Sequence, residues 1–276
     1  MTFQPRLAIH TITNRPWSPG ECIKNYAAAG VAGITFWRRD FERTHPGELA
    51  RQCADFGLEV VSLARGGFFP ASDAAARQAA VEDNLRAIDE AEAVCAPSLV
   101  LVCGADPAQP LADSRSQIRD GIAACLGHAA AAGVVLAIEP LHPMYADTRS
   151  AVNTMAQAND LCEALGSPGH LGIACDVYHT WWDPALEPEI ARAAGRGNLT
   201  SFHICDWNVP TTDLLNDRAI PGDGCIGIAE ISSWIDAAGF AGHREVEIFS
   251  DHHWARDQGE YLNDIIAAYV ALYPHA

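Results

Sequence analysis

Six times along this chain a stretch of small residues runs into glycine and then into an apolar segment. The instances are AAAGVAGITFW at 27–37, ADFGLEVVSL at 54–63, AAAGVVLAIEP at 130–140, EALGSPGHLGIACD at 163–176, AAGRGNLTSFHI at 193–204 and DAAGFAGHREVEIF at 236–249. Glycine closes a helix in the left-handed conformation, and an uninterrupted apolar run is what a parallel strand covered on both faces requires. Adding the apolar stretches at 6–13 and 98–104 makes eight strand-helix units in 276 residues. That count and length predict a (β/α)8 TIM barrel as a single domain over 1–276. A doubly wound open sheet alternates strands and helices in the same way and is the competing architecture. Its one supporter, the G-x-G-x-x-G at 222–227, follows a polar stretch at 206–221 instead of coming directly off a strand, as a dinucleotide fingerprint must. A helix start is also legible: Ser18-Pro19-Gly20-Glu21 has the form of a capping box with proline at the first helical position.

Charge narrows the partners. Asp and Glu number 35 against 18 Lys and Arg, a formal charge of -17, and Lys24 is the single lysine. Nucleic acid and anionic membrane surfaces are bound through clustered cations, so neither is expected as a partner. The start, MTFQPRLAIH, has no basic-then-apolar signal, and the apolar stretch at 129–138 is too short to span a bilayer. A soluble cytoplasmic location is the expectation. Nine cysteines at scattered positions, with no C-x-x-C pair, read as reduced core residues and not as a zinc site.

In a barrel the chemistry sits where strands end and βα loops begin. Four consecutive predicted strands end on polar residues: Glu139, Asp176, His203 and Glu247. Period-2 alternation puts Glu139 on a face with Ala137, Asp176 with Ala174 and Gly172, and His203 with Ser201, small residues that suit a barrel interior. Three carboxylates and an imidazole converging there repel unless a cation neutralises them. Oxygen-rich ligation with one nitrogen points to a divalent metal, Mn²⁺ first, with Mg²⁺, Co²⁺ or Zn²⁺ as alternatives. Glu139 and His142 each precede a proline, which holds them in extended backbone and partly fixes their side-chain directions. The D-x-x-H segment at 176–179 brings His179 to the rim of the same site, and Arg218 lies in the long loop after the seventh strand. Six of the seven tryptophans, Trp37, Trp181 and Trp207 among them, fall at or after strand ends, where rings line a pocket for a sugar or flat aglycone or seal the barrel top.

These strand-end residues, the D-x-x-H and the Arg218 loop resemble the xylose-isomerase-like superfamily of sugar isomerases and epimerases over nearly the whole chain. The resemblance implies that Glu139, Asp176, His203 and Glu247 are metal ligands, that the two glutamates move a proton, and that His179 and Arg218 hold substrate oxygens. Endonuclease IV is similar in fold but needs further histidine ligands after the third and fourth strands, which here read Ala64-Arg65 and Cys103-Gly104. A narrower resemblance, carried by EPLHPMYADTR, DVYHTWWDP, FHICDW and EVEIFS, is to the large subunit of C-glycoside deglycosidases. It implies a lyase in which His142 is the base that eliminates an aglycone from a 3-oxo-glycoside. It also implies a small β-sheet partner subunit; self-association into a homo-oligomer is the alternative. Metal-dependent isomerisation or epimerisation of a ketose is the competing reaction, with Glu139 and Glu247 doing the proton work.

Overall fold

A computed structural model describes residues 4–42 and 44–274. Eight parallel strands close into a barrel: β1 (Gln4–His10), β2 (Val31–Trp37), β3 (Glu59–Gly67), β4 (Ser98–Val102), β5 (Val135–Glu139), β6 (Leu171–Asp176), β7 (Leu199–Ile204) and β10 (Arg244–Val246), with β10 bonded to β1 to complete the ring. The predicted barrel is therefore the observed one, and the open sheet is excluded by that closure. The major helices connecting the strands are α1 (Pro19–Ala28), α2 (Pro46–Phe56), α3 (Ala74–Ala93), α4 (Leu111–Ala132), α5 (Met155–Ala164), α7 (Leu186–Gly195) and α8 (Ile228–Ala237), with α10 (Gln258–Leu272) after the last strand. Two short turns of helix, α6 (Val177–Thr180) and α9 (Asp251–Trp254), follow β6 and β10 at the top of the barrel.

The local rules read from the sequence operate as expected. Ser18 caps α1 with the full reciprocal pattern, its hydroxyl accepting from the Glu21 N–H while the Glu21 carboxylate accepts from the Ser18 N–H at 2.8 Å. Gly57 and Gly133 close α2 and α4 at φ of 68°, the left-handed backbone that only glycine takes at little cost. Outward-facing strand residues such as Leu7, Ile34, Leu136, Ile173 and Phe202 bury completely against the helices, while Val100, Ala137 and Ala174 form a separate small cluster. Those small side chains leave the barrel axis open for the polar groups above them. Seven of the nine cysteines are buried and all are free.

The loop after β7 carries a device not legible in the sequence. Its ends pair as a two-stranded antiparallel ribbon, β8 (Asp206–Trp207) with β9 (Arg218–Ala219). The fully buried Asp206 carboxylate accepts backbone N–H bonds from Trp207, Gly222 and Ile226, all between 2.8 and 2.9 Å. The G-x-G-x-x-G is thus a loop wrapped around an internal carboxylate; a Cβ at Gly224 would lie 2.4 Å from Asp206 Oδ1. Removing this anion leaves three backbone donors, the Ile226 N–H among them buried, without their acceptor in the loop that holds Arg218. Asp206→Ala is expected to cost about 3 kcal/mol in urea unfolding, and Asp206→Asn, which keeps one acceptor oxygen, less than that.

Candidate active site

Each candidate residue is delivered by a strand end. Glu139 closes β5, Asp176 closes β6, His203 sits one residue before the end of β7, and Glu247 lies one residue past β10. Register puts Asp176 directly beside His203. All four side chains are buried, and each offers one ligand atom within 4.8 Å of the others. His203 Nδ1 lies 3.1 Å from Glu139 Oε1. Asp176 also caps α6, its Oδ1 accepting from the Tyr178 N–H at 2.8 Å, and that turn swings His179 back until its Nε2 is 3.7 Å from Asp176 Oδ2. The D-x-x-H spacing works because residues three apart share a helix face.

Arg218 is sealed into the same site. Its Nη1 donates to Glu247 Oε2 at 2.9 Å and to Asp176 Oδ2 at 3.2 Å, Nη2 lies 3.3 Å from His179 Nε2, and the guanidinium stacks 4.3 Å from the Tyr178 ring. Arg218 does not by itself balance the cluster. Burial pushes Asp176 up to about 7, Glu247 and Glu139 add to this, and Arg218 offsets it only in part. Glu247 is held well below the usual carboxylate range: burial opposes this, but His10, Arg218 and His203 outweigh it. Three hard carboxylates, an imidazole nitrogen and a shortage of positive charge form a donor set that fits a divalent cation. His179 is driven well below its usual value by burial and then by Arg218, so its ring is neutral.

A second polar layer lies beneath. Glu245 accepts from Thr35 Oγ1 at 2.6 Å and Ser62 Oγ at 2.9 Å, and it faces His10 Nε2 at 3.3 Å and His203 Nε2 at 3.7 Å. His10 Nδ1 in turn meets Glu247 Oε1 at 3.0 Å. His203 thus presents one nitrogen to the upper cluster and the other to Glu245, the carboxylate–imidazole arrangement that orients metal-binding histidines. His10 and Glu245 escaped the sequence reading. The signal was present, since His10 ends the first strand and Glu245 alternates with Glu247, but neither looked different from a core residue without its partners.

The tryptophans divide. Trp37 lines the cleft with Glu139, His179, Arg218 and Glu247. Trp207 stacks on Tyr178 at 4.8 Å and lies 5.8 Å from Trp181, so these two build an aromatic wall beside the carboxylate–histidine cluster. That wall holds His142, 5.2 Å from Trp207 and 5.7 Å from Trp182. His142 is half-buried, and burial lowers its pKa. Its Nδ1 accepts from the Met144 N–H at 3.2 Å, capping the short 3-10 turn Pro143–Tyr145, and its own N–H donates to His179 Nδ1 at 3.3 Å.

The family model for xylose isomerase-like TIM barrels matches residues 23–265. The chain belongs to that family. Among solved structures, protein SMc04130 from Sinorhizobium meliloti 1021 is 45% identical with a TM-score of 0.93, over 96% of this chain and 98% of that one. The 3-keto-D-glucoside 4-epimerase of E. coli shares the fold, with a TM-score of 0.76 at 18% identity over 96% of this chain and 98% of its own. Among curated proteins, 3-dehydroshikimate dehydratase of Pseudomonas putida is 28% identical over 84% of this chain, which spans 36% of that protein's length. Among the described residues of this xylose isomerase-like barrel, no helix is long and apolar enough to cross a membrane.

Glu245 links the two histidines, so its loss leaves both rings without a shared counter-charge. Glu245→Ala is expected to destabilise the metal-free protein by about 3–5 kcal/mol at neutral pH, measured by urea unfolding. Burial pushes Glu245 up, but His203, His10 and the hydroxyl bonds dominate and bring it down to about 2. A lowered folded value contributes stability above the ordinary value of 4.5 and loses it as pH falls through about 2. The gap between Glu245→Ala and the parent therefore closes in that acid window.

Proposed function

We propose that this barrel is a divalent-metal-dependent enzyme that removes the proton from a carbon beside the carbonyl of a keto-sugar or related polyhydroxy ketone. The observation that supports this most is the convergence of Glu139, Asp176, His203, Glu247, His179 and Arg218 on one buried site at the C-terminal ends of the strands. A divalent cation held by Glu139, Asp176, His203 and Glu247, Mn²⁺ in the first instance, supplies Lewis acidity worth several kcal/mol to an enolisation. The rest is done by side chains. Neutral His179 and cationic Arg218 present N–H groups to substrate oxygens. Glu139 and Glu247 line the cleft on two different strands and take and return the proton, which suits isomerisation or epimerisation. Trp37 walls the cleft and excludes water. The named activities of the E. coli and P. putida relatives, a keto-glucoside epimerase and a dehydratase, accord with this shared first step.

A second reading is elimination: His142 takes the proton and an aglycone leaves a 3-oxo-glycoside, with a small β-sheet subunit as partner. Its support is the half-buried His142 ring, kept neutral by burial and set against Trp182 and Trp207, a wall that fits a flat aglycone. It ranks second for a tautomer reason. While Nδ1 accepts from Met144, the neutral ring carries its proton on Nε2, so acting as a base there means giving up that cap.

Solvent deuterium incorporation beside the carbonyl, followed by NMR on Mn²⁺-loaded protein with ketoses and 3-oxo-glycosides, tests both readings. Exchange is expected, and Glu247→Gln is expected to reduce it by about 10²–10⁴. His142→Ala is expected to leave exchange within about ten-fold in the glutamate reading and to cost about 10²–10⁴ in the elimination reading. Metal-loaded protein that exchanges no substrate overturns both.

A further inference from the structure

The mouth of the barrel holds a concentration of positive charge that the proposed reaction does not use. A cavity of about 510 Å³ opens beside the cleft and is lined by Arg15, Arg38, Arg39, Arg65 and Arg149, with Trp37, Phe249 and Trp254 among its walls. In a chain of formal charge -17, five arginines on one cavity run against the average surface. They differ in their engagements. Arg38 is spent on Asp83 at 2.8 Å and Glu90 at 2.5 Å. Arg15 stacks on Trp254 at 4.8 Å and, like Arg39, sits exposed at the rim.

Arg65 and Arg149 are different. Both are partly buried, and neither makes a side-chain salt bridge or hydrogen bond among the described residues; Arg65 Nε is fully enclosed without an acceptor. Each guanidinium is instead positioned by a ring, Arg65 4.2 Å from Phe68 and Arg149 5.5 Å from Tyr145. Stacking fixes the plane and leaves the N–H edge free to donate, which is how arginine pairs bind planar or tetrahedral anions. Burial, then the charges of Arg149 and Arg38, lowers Arg65 to about 10, and the charges of Glu139 and Asp83 offset this only in part. Arg149, Trp37, Leu215 and Phe249 line both this cavity and the cleft with Glu139 and Glu247, so the two adjoin and one molecule can reach both. The volume suits a ligand of sugar size or somewhat larger.

We propose that the substrate is an anion, a polyhydroxy ketone bearing a carboxylate or phosphate, whose charged group is held by Arg65 and Arg149 while its carbonyl end lies in the cleft. This specificity rests on the enolising reading but is tested apart from it, by binding. Isothermal titration of Mn²⁺-loaded protein compares L-sorbose with 5-keto-D-gluconate, which carries a carboxylate in place of one hydroxymethyl, and D-fructose with its 6-phosphate. At least one anionic member is expected to bind about ten-fold or more tightly than its neutral partner, and the pair that does so identifies carboxylate or phosphate. Arg65→Gln and Arg149→Gln are each expected to weaken that member by about 10–100-fold without moving the neutral one, with Arg65→Lys recovering part of the loss. Circular dichroism melts confirm that the variants fold. Equal affinities within both pairs, binding of none of the four, or a preference untouched by both glutamine variants overturns the anion site. A preserved preference without deuterium exchange removes the enolising reading and leaves the anion site standing.

Discussion

Four carboxylates, Glu139, Asp176, Glu245 and Glu247, lie at or below 4% exposure inside one barrel, and the rest of the upper half of the molecule is arranged around compensating them. Isolated charges are too costly to bury, so each needs a counter-charge or a set of donors. The solution is layered. Glu245, lowest, accepts from Thr35 and Ser62 and faces Nε2 of both His10 and His203; Glu245 and these two histidines also offer donor atoms within 4.8 Å of one another. Above it Glu247 and Asp176 share Arg218, and Glu139 meets His203, which leaves the upper layer short of positive charge. That shortage, with three carboxylates and an imidazole as donors, makes this level fit for a divalent cation.

The compensation depends on distant parts of the chain. Arg218 reaches the barrel only because its loop is folded back by the β8–β9 ribbon and tied at both sides by the Asp206 carboxylate. One buried anion therefore organises the loop that neutralises two others. His10 plays a similar part from β1, bridging Glu245 and Glu247 and so joining the two layers. Charge is spent differently outside this network. Arg38 is matched by Asp83 and Glu90, whereas Arg65 and Arg149, on the same cavity, make no salt bridge among the described residues.

The legibility of these features follows from their range. Strand ends at Glu139, Asp176 and His203 could be read because a glycine-closed helix followed by an apolar run has a fixed local form, and alternation then names the inward residue. The same logic reached Glu247 but passed over Glu245, two positions earlier on the same face. Nothing local separates a glutamate that awaits a cation from one satisfied by Thr35 and Ser62, which lie 210 and 183 residues away. The G-x-G-x-x-G was rightly set aside as a nucleotide loop, yet its actual purpose, wrapping Asp206, is a contact across 16 to 20 residues that no motif encodes.

Helix caps, glycine closures and apolar periodicity act over a few residues, so the sequence by itself determined the eight strand-helix units, the barrel and the four polar strand ends. The tertiary structure alone decided which carboxylates share Arg218, which histidine nitrogen faces which layer, that His142 caps a turn through Nδ1, and that Arg65 and Arg149 meet on one cavity without salt bridges. Those outcomes depend on distances between side chains brought together by ring closure. Coulombic and hydrogen-bond energies change steeply over the few ångströms that closure sets, and spacing along the chain carries no record of them.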